Sequence, residues 1–552
     1  MSIFTDVFVK KPKRSKQVLD HPYISTTDFG KIIPVLLEDL IPGDIFKCKS
    51  AMQLKLLPTL APLMTGIEVR IDYFFVPNRL IWNEWEDFIT GGENGTSTPE
   101  APYFNFDELS SSNVSIGSLV DYFGLPAYIP QGLRGNNIDL SPHENINFSA
   151  LPFRAYDLIY NEYYRDENLQ PEIYFSKESG LDEETSIGLQ YRGLKKDYFT
   201  SALPWAQRGP AVTIPVGQSA PVKGDLEVIS DPSGYTNWNG NYLGVTDPIQ
   251  DGDAKFINGK LYSVDSLQPS HTEDSSHQHA VDNIVISNTV NQDQYADLSE
   301  ATGITINEFR RLNAVQRWLE RNARAGSRYV EQILSHFGVR VPDYRLQRPE
   351  YLGGEKQIIG MAEVLQTSET ANSPQGSRAG VGFGNLLAKT RKYYAQEHGL
   401  VLGLMSIIPS TNIYADGVQR KWSRFTKFDY FFNEFQYLGE QEIKQKEIFG
   451  YGGLTNPEST FGYTPRYAEY RYHPGEITGE MRATQSYWHL GRLFNIEPHL
   501  NDVFINSGSL LNKGQYNRIF PTEESLGDRF QIIIQHFERL KRPMAKNPSP
   551  SL

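Results

Sequence analysis

Between Ile67 and Val76 (IEVRIDYFFV) apolar and polar positions alternate. Val69, Ile71, Tyr73 and Phe75 interleave with Glu68, Arg70 and Asp72. A two-residue period rich in β-branched and aromatic side chains predicts a strand with one buried face. Gly399 to Ile408 (GLVLGLMSII) is uncharged and apolar apart from Ser406, and predicts a strand buried on both faces. Arg529 to Leu540 (RFQIIIQHFERL) predicts a late strand running into a basic tail, and Gly43 to Leu57 is a further strand candidate.

Helical spacing is rarer. Residues 80–90 place Ile81, Trp85, Phe88 and Ile89 on one face and stop at Gly91–Gly92. Residues 152–165 predict a helix with Pro152 in the first turn, where its missing N–H costs nothing. The longest helix opens at a Thr305–Glu308 capping box, repeats Phe309, Leu312, Leu319, Ala323, Val330, Ile333 and Phe337, and ends near Gly338. Gly326, in its middle, is a point where it bends or divides. Two stretches read as surface excursions: residues 211–300, rich in Gly, Asp, Asn, Ser and Pro, and the small-residue loop 366–384. No repeat of fixed period is present.

Composition strengthens the β reading. The 552 residues include 31 Tyr, 30 Phe and 7 Trp, side chains that favour strands and large contact surfaces. The lone cysteine, Cys48, permits no intrachain disulfide and fits a reducing compartment. The first residues carry no apolar stretch after their basic run, so no signal peptide is expected. The longest apolar runs, such as Leu400 to Ile408, are too short to span a bilayer.

Charge divides the chain. Residues 211–300 hold three Lys and no Arg against ten Asp and three Glu, which accounts for −10 of the chain's −13. Three segments are basic instead. Near the start lie Lys10, Lys11, Lys13, Arg14 and Lys16; near the end, Arg539, Lys541, Arg542 and Lys546; between them, the long helix. On that helix Arg310, Arg317, Arg321, Arg324 and Arg328 fall within roughly 40° of one line, opposite the apolar residues. Such a stripe is either a solvated or salt-bridged face, or a row of phosphate contacts.

Enzyme signatures are missing. There is no phosphate loop, no G-x-S-x-G and no H-E-x-x-H, and one cysteine excludes cysteine-based zinc sites. Asn237, Asn239 and Gly240 imitate part of a calcium loop, but Tyr235 stands at its first ligand position and no Glu closes it. His271, Glu273, Asp274, His277 and His279 share one loop that reads as solvated polar surface rather than a metal site. No cofactor and no catalytic or metal-binding residue is assigned.

Several blocks, in order, resemble the major capsid proteins of microviruses, small phages with circular single-stranded DNA, and especially the gokushovirus branch. They are DFGKIIPVLLEDLIPGDIF, FFVPNRLIWNEWEDFITGG (Phe74 to Gly92), LPFRAYDLIYNEYYRDEN (Leu151 to Asn168), DYFTSALPWAQRG (Asp197 to Gly209), RAGSRYVEQILSHFGV, RLQRPEYLGG, EHGLVLGL and FGYTPRYAEYRYHPGEITGEMR. The resemblance implies a mainly β fold: an eight-stranded viral jelly roll of two facing antiparallel sheets, with long inter-strand insertions and few helices. Residues 1–210 and 301–552 would form the shell domain, and 211–300 an outer protrusion at the threefold axis for host attachment. It also implies self-assembly through pentamers into the smallest (T=1) icosahedral shell, built in the host cytoplasm around single-stranded DNA. Implied partners are a small basic DNA-binding protein, an internal scaffolding protein, a minor pilot protein and a host receptor, with no membrane insertion. The basic residues named above, Arg542 included, become candidates for facing DNA or a subunit interface. Two alternatives are a phage spike that trimerises without forming a shell and, less favoured, a carbohydrate-active β-sandwich enzyme.

Overall fold

The computed structural model describes residues 13–133, 138–143, 145–210, 212, 306–369, 375–521 and 527–545, with four short backbone strands between 222 and 296. The chain divides into two compact units: Met1–Pro210 with Arg317–Leu552, and Ala211–Gln316. Within the second unit, Val222–Lys223 pairs with Tyr295–Ala296, and Lys255–Ile257 with Lys260–Tyr262.

Beside a two-residue strand, Tyr393–Tyr394, on β4 and several short strand pairs elsewhere, the main sheet of the first unit is built on nine strands: β1 (Ser15–Val18), β2 (His21–Thr27), β3 (Ile33–Leu40), β4 (Ile45–Leu56), β5 (Ile67–Pro77), β6 (Glu350–Leu365), β7 (Arg378–Lys389), β8 (Gly399–Pro409) and β9 (Phe530–Arg542). β1 and β2 lie end to end along β9, which pairs on its other side with β4, and β4 with β7. β3, β8, β5 and β6 form the second set. Among the described residues the two sets are joined by strand pairing only where Gly360–Leu365 of β6 pairs with β7. Counting β1 and β2 as one broken strand, this is the eight-stranded double Greek key of a jelly roll, as expected.

Alternation decides which side chains meet between the sheets. Phe46, Met52 and Leu54 of β4, Ile532 and Ile534 of β9, Ile71 and Tyr73 of β5, and Met405 and Ile407 of β8 share one core. The second sheet is buried on its outer face too. There Phe74, Val76, Leu400, Leu402 and Leu404 pack against Phe153, Tyr156 and Ile159 of the helix Leu151–Ile159. All eleven positions of β8 are buried, as its nearly unbroken apolar run predicts. β5 departs from the one-faced strand that its alternation predicts, for Glu68 and Asp72 are buried as well. Their charges are met by Arg192 and Arg70.

Long insertions supply the cover. Residues 78–349 join β5 to β6, and residues 410–529 join β8 to β9. The first starts as two short helices, α1 (Asn78–Ile81) and α2 (Trp85–Thr90), rather than the single helix expected over 80–90. The break lets Trp82 bury its ring and donate to Ser179 Oγ at 2.8 Å, which leaves Phe88 and Ile89 exposed. The helix expected over 152–165 is α3 (Leu151–Ile159), extended by a π-helical turn at Tyr160–Tyr164, with Pro152 in its first turn. The long helix divides at Gly326, φ +108°, into α4 (Ile306–Ala325) and α5 (Tyr329–Phe337), and ends at the left-handed Gly338. Its expected cap at Thr305 lies outside the described residues. Its apolar series is not a buried face, because Phe309 and Phe337 are exposed and Ala323 alone of the seven is buried.

The loop expected over 366–384 is shorter, since β7 begins at Arg378. Gly380 and Gly382 face inward: a Cβ on Gly380 would sit 2.3 Å from Thr59 Oγ1, and one on Gly382 2.7 Å from Leu56 Cβ. Close passage of backbone over backbone, not turn formation, explains these small residues.

The first insertion is pinned by Arg154, buried in α3. Its guanidinium donates to Asp182 Oδ2 at 2.8 Å, Ile81 O at 3.2 Å and Glu178 O at 3.0 Å, while Asp182 also accepts from Thr185. Arg154→Ala strands a buried carboxylate and two backbone carbonyls and is expected to cost about 3–5 kcal/mol. Urea denaturation of the purified subunit measures it; a loss below about 1 kcal/mol would contradict this role.

Candidate nucleic-acid interface

The face of the first sheet turned away from the core carries an ordered set of cations. Along β4 the alternation Lys47, Lys49, Ala51, Gln53, Lys55 points outward while Phe46, Cys48, Ser50, Met52 and Leu54 point in. Along β9 the outward set is Gln531, Ile533, Gln535, Phe537, Arg539 and Lys541. Antiparallel register places Lys47 opposite Arg539, Lys49 opposite Phe537 on one side and Lys389 on the other, and Lys16 opposite Lys541. Directly opposed like charges in neighbouring strands repel. None of these outward positions on β4, β7 and β9 holds a carboxylate. Asp20, in the turn between β1 and β2, reaches the rim and pairs with Arg539, holding the guanidinium pKa above its ordinary value.

Neutral groups fill the spaces between the cations. Shallow depressions are lined by Lys47, Lys49, Phe537 and Arg539, and by Gln53, Asn385, Leu387, Ile533 and Gln535. Cations that track a backbone, beside apolar, aromatic and amide groups that contact bases, are the chemistry of sequence-tolerant single-strand binding.

Beneath the charged face the sheet is kept neutral. Ser50 Oγ lies 2.8 Å from His536 Nδ1 and accepts the Tyr73 hydroxyl. Burial, and secondarily His21, pushes the His536 pKa down to about 4. Burial pushes the Cys48 thiol up to about 12. Glu538 is fully buried, with His21 Nδ1 3.3 Å away. Burial first, then the Glu38 and Asp20 carboxylates, raise its pKa to about 8 against the pull of Arg542.

The sequence candidates stand in different surroundings. Arg539 and Lys541 stand on the charged face; Lys16 joins them through β1. Lys13 is exposed just before β1, and Arg14 lies over the Tyr394 ring, 5.4 Å from its centroid. Lys10, Lys11 and Lys546 lie outside the described residues. Three others bind their own chain. Arg542 turns away to Glu38 and Asp44, at 2.9 and 3.0 Å. Arg324 pairs with Glu440, and burial lowers its pKa to about 10. Arg328 leaves the expected helical line altogether: the break at Gly326 puts it at the N-cap of α5, donating to Asn161 O at 2.5 Å and paired with Glu331 at 3.3 Å. Arg310, Arg317 and Arg321 remain exposed on α4. The segments read as calcium-like (Asn237) and histidine-rich (His271) lie outside the described residues. Sequence reasoning missed Lys47, Lys49, Lys55 and Lys389; the signal was present in KCKSAMQLK, a strand whose polar phase is mostly lysine.

A jelly roll enlarged by insertions, with a cationic sheet face and a buried neutral network but no assembled catalytic group among the described residues, is the build of a viral coat protein. The comparisons agree. A family model described as "Capsid protein (F protein)" matches residues 6–547, and the chain belongs to that phage capsid protein family. It is 34% identical to capsid protein VP1 of Chlamydia phage 1, over 92% of each chain. It is 35% identical to VP1 of Bdellovibrio phage phiMH2K, over 88% of this chain and 87% of the other, and 29% identical to VP1 of Spiroplasma virus 4, over 89% and 87%. As a capsid protein it resides in the virion.

The buried pair fixes a pH signature. Neutral His536 favours the fold increasingly as pH rises from about 4 to 6.5, because the unfolded chain holds the extra proton there. Protonated Glu538 acts oppositely: its contribution is complete below about 4.5 and is lost as pH climbs to about 8. Above 6.5 only the second effect operates, so thermal stability is expected to fall between pH 6.5 and 8. Glu538→Gln should remove that fall. An unchanged slope in the melting temperature of the variant would refute the assignment.

Proposed function

We propose that this chain is the major structural subunit of a T=1 icosahedral shell enclosing circular single-stranded DNA, with the cationic face of the first sheet turned toward the genome. The observation that supports this most is the outward lysine phase of β4 set against Arg539, Lys541 and Lys389. A repulsive cluster of this kind is relieved by a polyanion. The proposed role is structural and not enzymatic. The scaffolding, pilot and small basic DNA-binding proteins of related phages are its proposed assembly partners. The test is a titration of the purified subunit with single-stranded oligonucleotide across salt concentrations. Lys47→Gln, Lys49→Gln and Lys389→Gln together should weaken binding and flatten the log–log salt slope by about 0.7 per phosphate contact removed. An unchanged slope would place the genome-facing surface elsewhere.

The acidic segment 211–300 is proposed as an outer protrusion that meets the host. Its −10 charge is repelled by packaged phosphate, which favours the exterior. It lies within the β5–β6 connection, so its removal need not interrupt any strand of the roll. Replacing residues 217–297 with a short Gly/Ser linker should leave shell formation intact and abolish adsorption to the host. Loss of subunit folding would instead assign the segment to the core.

A further inference from the structure

Two exposed patches of opposite character stand at opposite ends of one strand pair. β5 and β8 are antiparallel, with Pro77 opposite Gly399 and Ile67 opposite Pro409. Just beyond Pro77 comes α2. None of its residues is buried, it exposes Phe88 and Ile89, and Glu84, Glu86, Asp87 and Glu93 surround them with no Lys or Arg between residues 83 and 102. Just beyond Pro409, at the other end of the sheet, the chain leads into residues 418–438. Here Trp422, Phe425 and Tyr437 are 71%, 82% and 83% exposed, and Phe428, Phe431 and Phe432 are exposed beside them. Two cations of this second patch, Arg420 and Lys421, pair with Glu447 and Glu476 at 3.4 and 2.6 Å, and two others lie on rings. Arg424 sits 4.2 Å from the Tyr470 centroid and Lys427 5.1 Å from that of Phe428, and neither forms an ion pair among the described residues.

So much exposed aromatic surface is a binding surface. Its occupant follows from charge and position. The 418–438 patch holds Arg420, Lys421, Arg424 and Lys427 but also Asp429 and Glu434, and its most exposed large apolar side chains are the aromatic Trp422, Phe425 and Tyr437. That is a protein-binding composition, aromatic with Arg and few acids, whereas the carboxylate-free outward positions of the first sheet suit DNA. The acidic patch is the opposite of the basic one in charge and shares its apolar character. β8, which runs from one end to the other, is eleven residues long, roughly 33 Å at about 3.3 Å per residue. Unlike patches at opposite ends of a subunit are what a head-to-tail contact requires, and such contacts close rings.

We propose that residues 418–438 of one subunit dock on α2 and the Glu84–Glu93 segment of the next copy, forming a repeating subunit contact of the shell. The proposal rests on the shell reading above. Phe425 and Trp422 supply the apolar anchor against Phe88 and Ile89. Lys427, with the exposed Arg471 that follows Tyr470, whose ring lies 6.1 Å from that of Phe431, faces Glu86 and Asp87.

The test is charge reversal in the full chain, read by sedimentation and negative-stain microscopy. Lys427→Glu with Arg471→Glu should reduce assembled species at least tenfold. Glu86→Lys with Asp87→Lys should do the same. Each altered chain has two patches of like sign, so mixing the two preparations should restore association. Because all four residues are exposed, each variant should melt within a few degrees of the parent. Independently, Asp87→Cys with Lys427→Cys should give a ladder of disulfide-linked multimers on mild oxidation. Cys48 is buried, so the parent should give none. Assembly by both reversed variants at parental yield, or no restoration on mixing together with no ladder, overturns the proposed contact. Normal assembly with reduced DNA content in Lys427→Glu, Arg471→Glu would reassign the patch to nucleic acid. A parent chain that forms no higher-order species would instead defeat the shell reading.

Discussion

Burial of the second sheet on both faces is the constraint from which the rest of the architecture follows. A two-sheet roll ordinarily leaves each outer face to water. Here Phe74, Val76, Leu400, Leu402 and Leu404 make the outer face of β5 and β8 apolar, and water cannot be left against it at a cost of about 25 cal/mol per Å². The β5–β6 connection must therefore return over the sheet, and α3 is the part that does so. Arg154 and Asp182 lock that cover in place. The insertion is thus part of the folding unit at its base, whatever its outermost residues do.

The first sheet follows the opposite rule. One face joins the core and the other is left open, loaded with cations that repel one another. Two strata of different electrostatics lie only a side chain apart: an outer row of lysine and arginine, and an inner row in which Ser50, His536 and Glu538 stay uncharged near neutral pH. Keeping the inner row neutral is a consequence of burial, since an ionised Glu538 has no hydrogen-bond donor of its own.

Much of the roll was legible from the chain. β4, β8 and β9 announced themselves because each has a simple environment, one face wet or both faces dry. β5 was harder, because its acids are buried against Arg192 from outside the strand and Arg70 within it, and a periodicity argument takes a charged residue as exposed. The helix divided at Gly326 shows the same limit. Helical spacing placed Arg328 on a stripe, but Glu167 binds the Ser327 backbone and the chain turns there. The termini and the helix were read as basic because their charges are contiguous in sequence. Lys47, Lys49 and Lys389 come together only through strand pairing, and their alternation with apolar residues dilutes them in any linear count.

The placement of β9 bears on synthesis. Residues near 540 lie between residues near 20 and residues near 50, so Ser15 meets Arg542 and Lys47 meets Arg539. While the ribosome is still translating, β4 presents an open edge and the Phe46–Leu54 core lacks its wall. Such long-range pairing folds slowly and exposes hydrophobic strand edges. Completion of the sheet therefore awaits the last-made strand, which places a demand on chaperones and also keeps half-made subunits from displaying a finished roll.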